Sequence, residues 1–468
     1  MMKLINFIRN KRQLFEKMFI PFIIAYFILV SLPYFAYSVP ILGDFVSKGT
    51  TQLIYRGMIA LIFVLYAVCI SISYRIRPNY PWIILFSILL TTSMLVPLFS
   101  PTFLVTSYTD PQFLYTTISS IQIGMEDNIS STVSLFFDLS FAYCFLFIFP
   151  YCVRSRKHLI YILLPVIFLM LAECTYSIIF ERAEYMKLLS YTDGGYSGYD
   201  IIIQATFGSK NDFGDFLLQA IIASSVCFII TRQKYHKIIY GICVGLFFIF
   251  SILSLCKTAV IGAVLLFFVG FVFWIAFSYK KHPIRNSIII GSLVVVCAAG
   301  IFVVLAVPKL NSMMNSLFIN ASIKTFEERT ELWNLAFYMM RGPSLFFGYS
   351  KTLANYNLYY MSGETNRWFH NGFIYIYCSY GIIGLSIYLL LLSYIFLVMV
   401  RNIKFNKNVA VVSIAIFISF LVLTMAEQVI LGISGSASIF IYNFAVVLTP
   451  IALAKSYEKK GELYESFS

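Results

Sequence analysis

The polar segment 308–371 combines the residue types that proton transfer and phosphate binding require. It contains His370 together with Arg329, Arg341 and Arg367. The pKa of an unperturbed imidazole is about 6.5, close to neutral pH, so a histidine can accept a proton from a hydroxyl group. The planar guanidinium of arginine can donate two parallel hydrogen bonds to the oxygen atoms of a phosphate. Arginine is therefore suited to bind a leaving phosphate group. The segment is therefore a candidate site for chemistry on a phosphate-bearing substrate.

The elements that must position these residues are membrane helices. Hydrophobic residues make up 60% of the chain and charged residues only 12%. Apolar stretches of about 20 residues recur along it, each long enough to cross roughly 30 Å of hydrocarbon. The sequence predicts an all-α polytopic membrane protein, with residues 1–468 forming a single integral membrane domain of about twelve transmembrane helices. The predicted spans are 18–37, 55–73, 81–99, 133–152, 159–179, 214–231, 238–256, 259–278, 286–307, 372–400, 409–425 and 437–454.

The distribution of Lys and Arg predicts the orientation of these spans. Most of the 34 basic residues fall in alternate loops, and such loops face the cytoplasm. Both termini are then cytoplasmic, and 308–371 becomes a large extracytoplasmic loop between spans 9 and 10. Of the four histidines, only His370 lies in an outer loop. The net charge of +13 indicates topology and contact with anionic lipid, not nucleic-acid binding.

A short helix is predicted inside this outer loop. Thr325–Glu328 reads as a capping box, and the helix should run to about Met340, before a Gly-Pro pair. The apolar residues of one face are Leu332, Leu335, Ala336 and Met339. Such an amphipathic helix would lie on the outer membrane surface and present Arg329 at headgroup depth. Alternatively, Arg329 pairs with Glu328 or stacks on Trp333.

Four polar residues near the spans have two possible roles each. Lys257 is the only charge at the tight outer turn between spans 7 and 8, where it either binds an anion or marks a helix end by snorkelling. His370, at the mouth of span 10, is either a base or an interfacial hydrogen-bonding residue. Asp138 and Glu173 fall within spans, where a carboxylate is either functional or satisfied by hydrogen bonds. Asp212 and Asp215 at the start of span 6 are read as helix caps.

The order of these motifs resembles that of the O-antigen ligase and polymerase superfamily of bacterial envelope glycan assembly. The resemblance covers about residues 200 to 400. Its motifs are Gly208-Ser-Lys-Asn211, Arg329 in Glu-Arg-Thr-Glu-Leu-Trp333, His370-Asn371, and Gly381 to Gly384. Where the family tends to have a Ser-Arg pair at an outer hairpin, this chain has Cys256-Lys257-Thr258. The positive charge is kept there, but the bidentate geometry of arginine is lost.

The resemblance implies a reaction and a set of site residues. Enzymes of the superfamily transfer a glycan from undecaprenyl diphosphate to an acceptor hydroxyl at the outer leaflet. The resemblance implies that His370 acts as the catalytic base and that Arg329 stabilises the leaving diphosphate. The expected substrate-binding residues are Lys257, Asn211, Arg341, Arg367, Asn371 and Trp333. No cofactor or metal is expected, because the outer loops lack an Asp-x-Asp pair, and the transfer is expected to invert the anomeric centre.

The acceptor separates two functions within the superfamily. The richness in Phe, Tyr and Ile resembles the polymerase branch, whose enzymes extend a lipid-linked glycan, while an O-antigen ligase that uses the lipid A-core stays an alternative. A lipid-linked glycan flippase is a third function, but the span interiors are nearly free of charge, and the two halves show no internal repeat of the kind expected of a transporter. Localisation in the bacterial inner membrane is expected, with membrane lipids, the undecaprenyl-diphosphate-linked oligosaccharide and a chain-length regulator as candidate partners.

Overall fold

The computed structural model describes residues 2–427 with short gaps. The gaps are 37–48, 100–102, 110–113, 122–124, 150–151, 154–155, 191–200, 208, 279–281, 316–318, 320, 363–367, 402 and 404–406. Within these bounds the chain is predominantly helical, as the sequence predicts. The described structure adds one feature to the all-α prediction, an antiparallel hairpin of β1 (Phe103–Thr109) and β2 (Leu114–Ile121).

The helices are numbered in chain order. Those before residue 200 are α1 (Met2–Asn10), α2 (Arg12–Ala36), α3 (Gly49–Tyr74), α4 (Tyr80–Phe99), α5 (Met125–Tyr143), a π-helix (Cys144–Ile148), α6 (Arg156–Phe180) and α7 (Arg182–Leu189). Those after it are α8 (Lys210–Ile230), α9 (Lys234–Leu253), α10 (Lys257–Ser278), α11 (Pro283–Ala306), α12 (Pro308–Met313), α13 (Ala321–Met339), α14 (Ser344–Phe347), α15 (Lys351–Met361), α16 (Gly372–Arg401) and α17 (Lys407–Ala426).

The helices agree with the predicted membrane spans as far as the description reaches. Eleven of the twelve predicted spans coincide with helices, and the last, 437–454, lies outside the described residues. Among the described helices, seven are long and apolar enough to cross a membrane. Shorter apolar stretches lie in α4, α11 and α17. A multi-pass membrane protein is thereby confirmed, and the count of twelve spans stays a prediction.

Helix α8 lies at the centre of the bundle and is buried on nearly all sides. It contacts α6, α9 and α10. Small residues let α8 and α10 approach closely, because a side chain at Gly214 would meet Cys256 and one at Gly262 would meet Leu218. The Ser419 hydroxyl of α17 donates to the Gly262 carbonyl at 2.8 Å, which adds α17 to the same group. The first residues of α8 are thus held against the start of α10.

Helix α16 is broken at Gly381, where φ is +64°. The break frees the carbonyl groups of Cys378 and Ser379, which accept hydrogen bonds at 2.9 Å from the backbone N–H groups of Tyr349 and Ser350. Non-helical backbone inside a membrane protein is tolerated where such groups are satisfied by protein. The outer loop is therefore joined to α16 through backbone atoms.

The outer-loop helix differs from its prediction in two respects. It begins at Ala321 instead of Thr325, so the predicted capping box lies inside α13, four residues after its start. Leu332, Ala336 and Met339 are buried in the protein core, so this face of α13 packs on protein and not on the membrane surface. The predicted end near Met340 agrees with the observed end at Met339.

Two carboxylates, those of Glu173 and Glu181, hold the segment that leads into α8 through hydrogen bonds. Glu173 accepts from the Thr206 hydroxyl at 2.8 Å and from its N–H at 3.1 Å. Glu181 accepts from the N–H groups of Gln204 and Ala205. Of the two readings of Glu173, the structure therefore supports the satisfied structural carboxylate. Asp138 is half-buried and close enough to Tyr26 and Tyr380 to interact electrostatically.

Replacing Gly381 with Ala should destabilise the protein strongly. A Cβ atom there would lie 2.2 Å from the Phe346 carbonyl, and the positive φ adds strain. We expect a loss of about 2–4 kcal/mol of unfolding free energy, seen as a lowered melting temperature of the detergent-purified protein. Gly245→Ala is the matched control, because a Cβ there meets nothing within 4 Å. Equal melting temperatures for the two variants would contradict this account.

Candidate active site

Glu427 joins three of the predicted site residues. It follows α17 directly and is 8% exposed. Its Oε1 accepts from the Arg329 Nη2 at 2.9 Å and from the Asn211 Nδ2 at 3.4 Å. Its Oε2 lies 3.2 Å from the His370 Nδ1. One carboxylate thus connects α8, α13, α17 and the residue that precedes α16 by two positions.

Helix ends converge around this carboxylate. Asn211 is the second residue of α8, Lys257 is the first residue of α10, and His370 lies just before α16. Each of these is the N-terminal end of a helix, where unpaired N–H groups and the helix dipole attract negative charge. The arrangement favours an anionic ligand at this end of the bundle.

Basic side chains add to the positive potential of the site. Lys210 and Arg329 are both close enough to Lys257 for their charges to act on it. Neighbouring cations of this kind are stabilised by a bound anion, such as a phosphate group. The structure therefore places Lys257 near Arg329.

The carboxylate of Glu427 is held in its ionised form. Burial by itself raises the pKa of a carboxyl group, but the hydrogen bond with His370 and the positive charge of Arg329 outweigh it. The pKa of Glu427 consequently lies below its ordinary value. An ionised carboxylate only accepts hydrogen bonds, so it fixes which His370 nitrogen carries the proton.

His370 is held in an unusual backbone conformation by its neighbours. Its φ is +46°, in the left-handed region that non-glycine residues seldom adopt. The preceding Phe369 is fully buried, and its carbonyl accepts from the Trp333 Nε1 at 2.9 Å. The following Asn371 caps α16, because its Oδ1 accepts from the N–H groups of Phe373 and Ile374. Trp333 and Asn371 therefore orient His370 through these contacts.

Arg329 is anchored yet keeps hydrogen-bonding capacity. Its Nη1 donates to the Ala426 carbonyl and its Nη2 to Glu427, so neither of the two predicted partners, Glu328 or Trp333, is the one observed. A guanidinium has five N–H donors, and these two contacts leave about three for other acceptors. The side chain is 16% exposed, so a ligand can reach it.

Of the two remaining predicted arginines, Arg341 lies away from the cluster. Arg341 is exposed beyond the end of α13, with its guanidinium 3.8 Å from the centre of the Tyr338 ring. The part of α13 from Arg329 to Met339 is about 15 Å long, and this length separates Arg341 from Arg329. Arg367 and Gly208 lie outside the described residues.

Glu427 was not identified from the sequence, and only one of the two acidic residues near the start of α8 has the predicted capping role. Asp212 does act in a cap, because Ser209 Oγ accepts from its N–H at 3.1 Å. Asp215 does not, since it is buried and its Oδ1 has no hydrogen-bond partner among the described residues. Glu427 carries a signal that was available, because it is an acid placed directly after the predicted span 409–425.

One protein-family model matches part of the chain. Residues 246–389 match the family model described as O-antigen ligase. This segment is therefore similar to the O-antigen ligase/polymerase superfamily. It includes Lys257, Arg329, His370 and Asn371, whereas Glu427 lies beyond it. No curated protein matches the chain. The match confirms the resemblance seen in the sequence and supports a membrane glycosyltransferase-like enzyme.

The lowered pKa of Glu427 predicts a pH-dependent contribution to stability. A carboxyl group with a depressed pKa stabilises the folded state fully above its unfolded value of about 4.3, and this contribution is lost as the pH falls through the folded pKa. Glu427→Gln removes the charge, so the difference in melting temperature between wild type and variant should be constant above about pH 5 and shrink below it.

The control for this measurement is Glu328→Gln on α13, an exposed residue. Its melting curves should run parallel to those of the wild type at every pH. A wild-type advantage over Glu427→Gln that persists unchanged to about pH 3 would show that the ionised carboxylate is not what stabilises the cluster.

Proposed function

We propose that the protein is a polymerase that transfers glycan repeat units from undecaprenyl diphosphate to a hydroxyl of another lipid-linked glycan. The observation that carries the proposal is the pairing of His370 and Arg329 on one carboxylate, Glu427, within the converging helix N-termini. A base and a phosphate-binding cation are thereby held side by side. Glycosyl transfer from a diphosphate requires both.

His370 acts as the base. The ionised Glu427 accepts a hydrogen bond from the Nδ1–H group of His370, which leaves the Nε2 lone pair for the acceptor hydroxyl. As the hydroxyl oxygen forms its bond with the anomeric carbon, its proton moves to Nε2. The bond between that carbon and the diphosphate oxygen breaks, and its electron pair stays on the diphosphate. Attack from the face opposite the leaving group inverts the anomeric centre.

Arg329 and Lys257 stabilise the charge that develops on the leaving diphosphate. Lys210 adds a third cation, and the N-termini of α8 and α10 contribute partial positive charge. These groups supply the electrostatic stabilisation for which other enzymes use a divalent cation. We therefore expect the transfer to proceed without metal. Asn211 would accompany them as a glycan or diphosphate ligand, since it shares Glu427 with Arg329.

The description of the matched family favours a second candidate, O-antigen ligase, in which the acceptor is the lipid A-core. The same base and cations serve both reactions, because only the molecule that carries the hydroxyl differs. In either case the proposal places the site at the outer face of the bacterial inner membrane, with both termini cytoplasmic. A chain-length regulator is a further proposed partner of the polymerase.

Complementation of a host that lacks its own polymerase, with the cognate repeat-unit genes present, tests the proposal. Wild type should restore laddered long-chain glycan. His370→Ala and Arg329→Ala at equal expression should reduce it to single repeats, because removing a general base alone costs about 10²–10⁴-fold in rate. A wild type that gives no ladder in this host, but restores attachment of glycan to the lipopolysaccharide core in a host that lacks its ligase, would instead identify a ligase.

Two controls separate the site from general effects of substitution. His236→Ala removes an exposed histidine from the first turn of α9, and Arg182→Ala removes an exposed arginine on α7. Both should give normal ladders. Normal ladders from His370→Ala and Arg329→Ala as well would overturn the proposed mechanism. Purified enzyme should also keep its activity after treatment with EDTA.

A further inference from the structure

An apolar groove lies between α3, α4, α5 and the π-helix, apart from the Glu427 cluster. Its volume is about 390 Å³, within the range of about 300–1,000 Å³ that small-molecule sites occupy. The lining includes Ile72, Leu90, Leu139 and Ile148. Several lining residues are exposed, among them Val68 and Ser87, so the groove opens to the surroundings of the bundle. The charge pattern places this end of the three helices in the cytoplasmic half of the membrane.

A cation stands at one end of this groove. Arg77 lines it and is exposed, and Arg75 precedes it in the same short connection between α3 and α4. No ion pair of Arg77 with a described carboxylate is present. An apolar groove that ends at an arginine suits an amphiphile, because the groove can hold a hydrocarbon chain and the arginine can bind an anionic head group.

The cation and the groove are held together by a specific contact. The Tyr143 hydroxyl accepts from the Asn79 N–H at 2.8 Å, which fixes the connection after Arg77 against the end of α5. Tyr143 itself lines the groove and directly precedes the π-helix, which contributes Cys144 and Ile148 to the lining. Short π-helical turns occur frequently at functional sites, because the wider turn displaces side chains from their regular positions.

We propose that this groove binds an acyl chain of an acidic glycerophospholipid from the cytoplasmic leaflet, with the lipid phosphate against Arg77. A basic residue near a membrane surface attracts anionic lipid, and the apolar lining accepts the chain. The apolar segment 437–454 of the same chain is a poorer occupant. Lys455, Lys459 and Lys460 follow it and would bring further positive charge toward Arg77.

Native mass spectrometry of the full-length protein tests the proposal with two probes, phosphatidylglycerol and phosphatidylcholine of the same chain length. Wild type should retain phosphatidylglycerol about fivefold better, the factor that corresponds to the roughly 1 kcal/mol contributed by one basic residue. Arg77→Gln should abolish this preference. Ser87→Trp, at an exposed lining position, should fill the groove and lower the retention of both lipids.

The matched control is Arg232→Gln, which removes an exposed arginine from another predicted cytoplasmic loop. It should keep the wild-type preference. Equal retention of the two lipids by wild type, or an equal loss in Arg77→Gln and Arg232→Gln, would overturn the proposal. A disulfide formed efficiently between Ser87→Cys and a cysteine introduced in 437–454 would also overturn it, because the chain itself would then fill the groove.

Discussion

A buried carboxylate between a guanidinium and an imidazole is the interaction on which the site depends. Glu427 is taken out of water at a considerable cost, and this cost is met by contacts from Arg329, His370 and Asn211 together. Removing one partner of such a group leaves the others with an uncompensated charge, which is more costly than the pair is favourable. The mutual dependence explains why residues separated by more than 200 positions in the sequence occupy one place.

The scaffold around the carboxylate follows from close helix packing. Glycines at the contact of α8 and α10 bring the N-terminal ends of these helices together, and the buried face of α13 fixes Arg329 above them. Trp333 ties α13 to the carbonyl of Phe369, so the helix that carries the arginine also positions the histidine. Two groups with different chemical roles are thus located by a single rigid element.

Much of this arrangement could be predicted from local sequence patterns. Hydrophobic runs located the helices, and the unequal distribution of charge placed Arg329, Lys257 and His370 in outer loops. The resemblance to the superfamily then singled out Arg329 among the arginines of its loop. The partner of Arg329 was not predictable in the same way, because Glu427 is about 100 residues away and lies outside the matched family segment. The start of α13 was misplaced, since packing extended the helix past a capping signal. Asn371 and Trp333 were expected to bind substrate, whereas their observed contacts orient His370.

The break in α16 bears on the order in which the protein matures. Residues 346–350 leave the ribosome before residues 378–381, yet their backbones meet without room for a Cβ atom. The carbonyls of Cys378 and Ser379 find their partners only when the outer loop has docked. Until then, the first half of α16 lacks the contacts that stabilise its bent form. Docking of the loop is therefore expected to be a late step of assembly, and the histidine at the mouth of α16 reaches its final position only with it.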